Sequence, residues 1–328
     1  MSKFIGRKFN IGIGKESARA TPVVASYWLP KVGLDIDDKI EFAVNESSIG
    51  VIEDAIGQSV TKKYSEGSIE GLITDKGIGL LLMALFGTDT IGAVETGVKD
   101  HVFTVLQTAQ HPSLTLSVVE ANSNSGSGFA YALAMIDSLE ITLEVGKFAS
   151  YKATFRANAG ANQADTVAFT AENIFKPQDC VFKMASALAG LSGASAISAR
   201  KIVLSLKANT EDDDTIGSVV SVDRLNKQFS VEGSVELVYS DRTFIATDML
   251  ADLAQAIRLQ AINTAVTLGT TSNPTLTVDL ASAKIQEVAR KIENNGIIMQ
   301  TVKFKGYYSQ TDSSMITATL RNTVTTAY

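Results

Sequence analysis

The sequence predicts a mainly β (α+β) fold: two tandem antiparallel β-sandwich or half-open barrel domains, each with one α-helix packed on it. Three observations carry this expectation. Val, Ile, Thr, Phe and Tyr gather in short stretches that alternate apolar and polar residues. Alternating βαβ units, the mark of a doubly wound parallel sheet, are absent. Several short motifs also recur about half a chain apart.

In the first half, a strand over Ile40–Val44 leads into a polar, glycine-containing stretch from Asn45 to Thr61. The next strand runs through Glu66-Gly67-Ser68-Ile69-Glu70. A helix is expected over Asp75–Phe86, closed by Gly87 where a left-handed cap is preferred. A strand entered at Pro112 and the strictly alternating Leu139–Val145 follow. The second half repeats this order, with a strand over Ile202–Leu206, a polar stretch over Ala208–Asp223, and a strand through Glu232–Glu236. Asp241 or Thr243 can cap a second helix. Ala246–Leu259 is rich in helix formers, and Ile245, Met249, Leu250, Leu253 and Ile257 follow three-to-four spacing.

Four anchors support a duplication. Lys39-Ile40 returns as Lys201-Ile202 (201 − 39 = 162), and Glu66–Glu70 as Glu232–Glu236 (232 − 66 = 166). His111–Leu116 returns as Asn273–Val278 (273 − 111 = 162), and Ala153–Arg156 as Ala318–Arg321 (318 − 153 = 165). The small, polar Asn158–Asp165 segment marks the join, so the domains expected are 1–160 and 161–328. Ser123–Gly128 reads as a flexible loop tip.

Composition excludes several classes. The chain has 328 residues, 45% of them hydrophobic and 20% charged, with a mean hydropathy of +0.13, enough for two buried cores. The longest strongly apolar run, Ile78–Phe86, falls short of the roughly 18 residues a bilayer span needs. No membrane insertion is expected. Charges within the opening Met1–Phe9 argue against a secretory signal. A single cysteine, Cys180, excludes an internal disulfide framework. The net charge is −6, and no lysine or arginine run offers the basic face of a duplex-DNA binder. The densest charge run, Glu211–Asp214, reads as a solvated loop.

Chemical motifs are weak. Gly12-Ile-Gly14-Lys15 meets neither the P-loop nor the dinucleotide-loop spacing. His101 and His111 have only Asp100 and Glu120 near them in sequence as further metal ligands, and Cys180 has no histidine close by. No cofactor or metal is expected. Glu66, Ser68 and Glu70 share one strand face, as do Glu232, Ser234 and Glu236. A glycosidase would need an aromatic cleft around such carboxylates, and Trp28 is the lone tryptophan. The better expectation is a polar, acidic sheet face turned to water in both domains, as in a symmetric assembly.

Gly12-x-Gly14-Lys15-Glu16-Ser17-Ala18-x-Ala20-Thr21-Pro22 leads to Tyr27-Trp28-Leu29-Pro30. Asn45–Gly50, Lys63–Gly71 and Gly79-Leu80-Leu81-Leu82-x3-Phe86-Gly87 follow in order. The series resembles the major tail tube proteins of long-tailed (siphovirus-like) bacteriophages, most clearly over the first 90 residues or so. The chain is longer than the one-domain members and resembles duplicated, two-domain forms.

The resemblance implies a structural virion protein and no enzyme. Three chains would form a pseudo-sixfold ring, and rings would stack into a hollow tube that conducts phage DNA into the host. Glu66, Ser68, Glu70, Glu232, Ser234 and Glu236 would face the lumen. Ile49, Ile52, Glu53, Asp54, Asp212, Asp213, Asp214 and Ile216 would contact the next ring, and the arm ending at Trp28 would contact a neighbouring subunit. Implied partners are other copies of itself, tape-measure and tail terminator proteins, and DNA held transiently without sequence preference. The implied location is the virion tail, with host cytoplasm during assembly. A virion receptor- or carbohydrate-binding module is the alternative, although the aromatic content is 7%. A hydrolase using the Glu pairs is a second rival.

Overall fold

The computed structural model of the chain describes residues 5–120 and 128–328. Residues 1–4 of the charged start and 123–127 of the expected loop tip lie outside the described residues. Strand accounts for 53% and helix for 8%, so the chain is mainly β, in antiparallel sheets.

The first half holds β1 (Asn10–Lys15), β2 (Tyr27–Leu29), β3 (Lys31–Asn45), β4 (Gly57–Leu72), α1 (Ile78–Phe86), β5 (Thr90–Glu95), β6 (Val98–Thr104), β7 (Leu114–Val119), β8 (Gly128–Glu144) and β9 (Ser150–Ala157). β10 (Ala161–Gln163) follows and pairs back onto β8, and the second half holds β11 (Cys180–Ala185), β12 (Ala196–Ile197), β13 (Ala199–Lys207), β14 (Glu211–Asp213), β15 (Asp223–Leu225), β16 (Ser230–Val238), β17 (Gln255–Ile262), β18 (Thr275–Lys291), β19 (Met299–Tyr307) and β20 (Ile316–Asn322).

One long sheet runs β3-β4-β9-β8-β13-β16-β19-β18 and crosses from one half to the other at the β8–β13 pairing. Its covered face carries Ile69, Phe155, Ile141, Leu204, Val235 and Phe304, all buried. Against that face pack β2-β1-β7-β8-β10 on one side and β12-β11-β17-β18-β20-β6-β5 on the other. β8 and β18 belong to both layers: their leading halves pair with β7 and β17, their trailing halves with β9 and β19. Leu133, at φ 52°, marks the corner in β8. Its N–H donates to Glu16 (2.8 Å) and its carbonyl accepts from Arg224 (3.0 Å), two side-chain bonds that hold a backbone conformation unfavourable for a leucine.

The pairing order recurs. β1, β2, β3, β4, β7, β8, β9 and β10 find counterparts in β11, β12, β13, β16, β17, β18, β19 and β20, paired among themselves in the same way, while β8–β13 and β6–β20 join the two sets. Bulges recur as well: Ile136/Ser138 between β8 and β9 matches Ile285/Glu287 between β18 and β19, 149 residues later (285 − 136). Leu114/Leu116 matches Gln255/Ile257 at an offset of 141 (255 − 114). Bulges are specific local features, so their coincidence is stronger than matched pairings alone.

Two sequence anchors are therefore corrected. His111–Leu116 leads into and through the start of β7, whereas Asn273–Val278 enters β18. Ala153–Arg156 lies in β9 and Ala318–Arg321 in β20, which are not counterparts. Lys39 and Lys201 occupy equivalent strands in different registers, since Lys39 opposes Tyr64 and Lys201 opposes Glu236. The Glu-Gly-Ser anchor alone falls on equivalent positions. Its glycines have a packing reason: a Cβ on Gly67 would meet the Asp35 carbonyl at 2.0 Å, and one on Gly233 the Phe304 ring at 2.3 Å.

The second expected helix is also corrected. A six-residue π-helix spans Phe244–Met249, Asp252 turns to φ 51°, and Gln255–Ile262 is β17. Leu250 and Leu253 are exposed rather than on a buried face. Ile257, Leu259 and Ala261 also alternate with period two, and pairing with both β11 and β18 decided between the two periods. The first helix starts at Ile78 rather than Asp75. Asp75 instead accepts from the Asn173 backbone (2.8 Å) and side chain (2.7 Å).

Candidate assembly surfaces

Glu66, Ser68 and Glu70 stand on the uncovered face of the long sheet, opposite the buried Ile69, and Glu232, Ser234 and Glu236 stand on the same face further along. One row of opposed residues crosses it: Gly33, Glu70, Lys152, Glu140, Ser205, Glu232, Lys305 and Lys284. The face is wet, as expected. It is not uniformly acidic. Glu70 pairs with Lys152 (2.7 Å), Glu66 with Arg156 (3.7 Å), Glu232 with Lys305 (3.8 Å), and Glu287 with Lys303 (2.8 Å). Glu236 opposes Lys201, Ser234 opposes Lys303, and Ser68 opposes Thr154. Strands of opposite charge placed side by side produce this mixed wall, and cross-strand pairing favours it.

A second surface is the β3–β4 hairpin. Beyond Lys39 its residues lie open, and Ile40, Phe42, Val44 and Val60 are 55%, 49%, 47% and 39% exposed. The tip carries Ile49, Ile52, Glu53 and Asp54, all exposed, with Ile52 at 102%. Exposed apolar side chains on a strand pair are a common feature of contact surfaces.

The acidic run expected to be a solvated loop is divided. Asp212 is buried, binding Lys62 (2.7 Å), Arg156 (3.1 Å) and the fully buried Arg224 (2.7 Å). Asp214 accepts from Lys62 (2.6 Å) and Ser221 (2.7 Å), and Lys62 holds its carboxyl below the usual range. The Lys63 N–H donates to the Val219 carbonyl (2.7 Å). The segment from the second half thus clamps the β4 strand of the first. Asp213 and Ile216 remain exposed, Ile216 at 108%.

Trp28 is 3% exposed in β2, with its ring against Gly12 of its own chain. The preceding arm is pinned by Glu16, which accepts from Ser113 (2.5 Å), Thr115 (2.9 Å), Leu133 and Ala20 (both 2.8 Å), and by Arg19, which donates to Asp223 (2.7 Å) and to the His111 and Arg224 carbonyls. Glu16 lies within the Gly12–Pro22 motif, but nothing in the local sequence around Arg224 marks its buried role. The signal available for Glu16 was the acidic residue closing a glycine pair.

The weak chemical motifs have structural employment. His101 contacts Asp89 through Nδ1 (2.9 Å) and the Val324 carbonyl through Nε2 (3.0 Å), while Asp100 pairs with Arg321 (2.7 Å). His111 is buried, which lowers its pKa. Burial pushes the Cys180 thiol up to about 12, far from thiolate reactivity. Among the described residues no three His, Cys, Asp or Glu side chains converge as metal ligands, and no helix is long and apolar enough to cross a membrane.

The chain is thus a mainly antiparallel β protein whose most distinctive surfaces are a mixed-charge sheet face and an exposed apolar hairpin. A family model for phage tail tube proteins matches residues 6–306, and the chain belongs to that family. It is thus a structural bacteriophage protein of the virion tail. No curated relative matches the chain.

Proposed function

We propose that the chain is two copies of one tail tube domain, 1–160 and 161–328. In this reading three chains close a pseudo-sixfold ring, and rings stack into the conduit for phage DNA. The observation that carries this is the long sheet, which passes from one half into the other with its uncovered face unbroken. Closed around an axis, that face becomes a lumen wall bearing Glu66, Ser68, Glu70, Glu232, Ser234 and Glu236. Lys152, Arg156 and Lys305 on it each lie 2.7–3.8 Å from a carboxylate, so they offer little counterion-release attraction to passing phosphates. DNA slides because the wall is balanced, not because it is repulsive.

Ring-to-ring contact falls to the hairpin tip at Ile49, Ile52, Glu53 and Asp54 and to the exposed Asp213 and Ile216. Asp212 and Asp214 support that loop from within. Exposed Ile5 and Val24 are the parts of the arm open to a neighbouring subunit, and Trp28 positions them. Tape-measure and terminator proteins would meet the tube lumen and its end, assembly would proceed in host cytoplasm, and no step calls for catalysis. Negative-stain imaging with light scattering of purified protein should show tubes, or rings of about three chains at low concentration. A stable monomer under every condition would sink the proposal.

A further inference from the structure

Both ends of the long sheet expose an unpaired strand edge among the described residues. At one end β3 pairs only with β4. At the other, β18 beyond Ala283 pairs only with β19. Within the chain, the strands equivalent to these two edges are already joined, as β8 with β13.

We infer that β18 of one copy pairs antiparallel with β3 of a second copy, in the register by which β8 meets β13 inside the chain. The inference rests on the tail tube reading above and adds the residues that specify the ring contact. The β8-to-β18 offset is 149, from the matched bulges. The β13-to-β3 offset is 168 (205 − 37), because Ser205 opposes Glu232 where Asp37 opposes Glu66. The internal pairs Ser138–Lys207, Glu140–Ser205 and Thr142–Val203 then become Glu287–Lys39, Ala289–Asp37 and Lys291–Asp35. Two of these three are of opposite charge.

The covered face agrees. Internal Leu143 opposes Ile202, and both are buried. Their equivalents, Ile292 and Leu34, are 67% exposed and partly buried. Inside the chain Ile141 and Leu143 pack with Leu259 and Val278, leaving a space of about 10 Å³. The equivalents of Leu259 and Val278 are Val118 and Phe129, and these with Leu34 and Ile36 line an open groove of about 950 Å³. What the groove lacks is the counterpart of Ile141 and Leu143, namely Arg290 and Ile292 of a second copy. Arg290 would enter beside the carboxylates of Asp38 and Glu120, which also line it.

The test introduces cysteines into the full chain. Asp37→Cys with Ala289→Cys should yield covalent dimers and larger species on mild oxidation, whereas the two-residue slip, Asp35→Cys with Ala289→Cys, should not. Lys39→Glu or Glu287→Lys alone should weaken assembly about tenfold, and the double reversal should restore it. Cross-linking of the slipped pair, or assembled protein that never cross-links through 37 and 289, overturns the register. Intact protein that forms no ring or tube at any concentration instead overturns the tail tube reading itself.

Discussion

Single carboxylates join the two halves. Glu95, at the end of β5, accepts N–H groups from Ser272 (2.9 Å), Thr270 (3.1 Å) and Thr271 (3.3 Å) of the second half. These bonds, Ser272 foremost, lower its carboxyl to about 2. A depressed acid stabilises above its unfolded pKa and loses that contribution as pH falls through its folded one. Thermal unfolding followed from pH 5 down to 2 should therefore show a loss in the native chain that is reduced in Glu95→Gln. Asp212 is the larger case: Asp212→Asn leaves Arg224 buried without its carboxylate, at a cost of about 3 kcal/mol in a urea melt. If Asp212→Asn melts like the native chain, the clamp contributes little and the segment is a surface loop after all.

Among the elements, α1 is apolar on every side, Ile78-Gly-Leu-Leu-Leu-Met-Ala-Leu-Phe86, and every residue in it is buried. Such a helix depends on the surrounding packing rather than on amphipathic patterning. Leu81→Ala should cost about 2–5 kcal/mol by leaving a cavity. Gly87 ends the helix at φ 89°, and its N–H donates to the Met83 carbonyl (2.7 Å). A Cβ there would also meet His111 and Leu106 at 2.7 Å. Gly87→Ala should accordingly lower the melting temperature well beyond a surface glycine such as Gly97, which has open space around it. Equal shifts in the two variants would show that His111 and Leu106 move aside.

For the molecule as a whole, the balanced wall changes what charge reversal should do. Lysine at Glu66, Glu70, Glu232 and Glu236 together would place like charges beside Arg156, Lys152 and Lys305 and make the wall strongly basic. Tubes should still assemble, since these side chains lie off the covered face, but DNA ejection timed in single particles should slow. Failure of assembly would make these residues interface instead. Removing residues 49–54 should spare rings and abolish stacking, which sedimentation separates cleanly.

Legible in the chain order alone are the mainly β class, the wet face of the Glu-x-Ser-x-Glu strands, and Gly87 as a helix end. Each of these is written in local periodicity or in one residue's backbone preference, which neighbours in space do not alter. Tertiary structure alone decided that Gln255–Ile262 is strand, since its helix formers obey both periods until β11 and β18 accept its backbone. It also decided which strands of the two halves share a pairing pattern, because insertions shift numbering while hydrogen-bonded register does not. The burial of Asp212 and the pairing of Glu66, Glu70 and Glu232 with cations were likewise invisible in the chain order. Their partners stand 12 to 150 residues away (224 − 212 and 212 − 62), and which charges meet across a sheet is set by register.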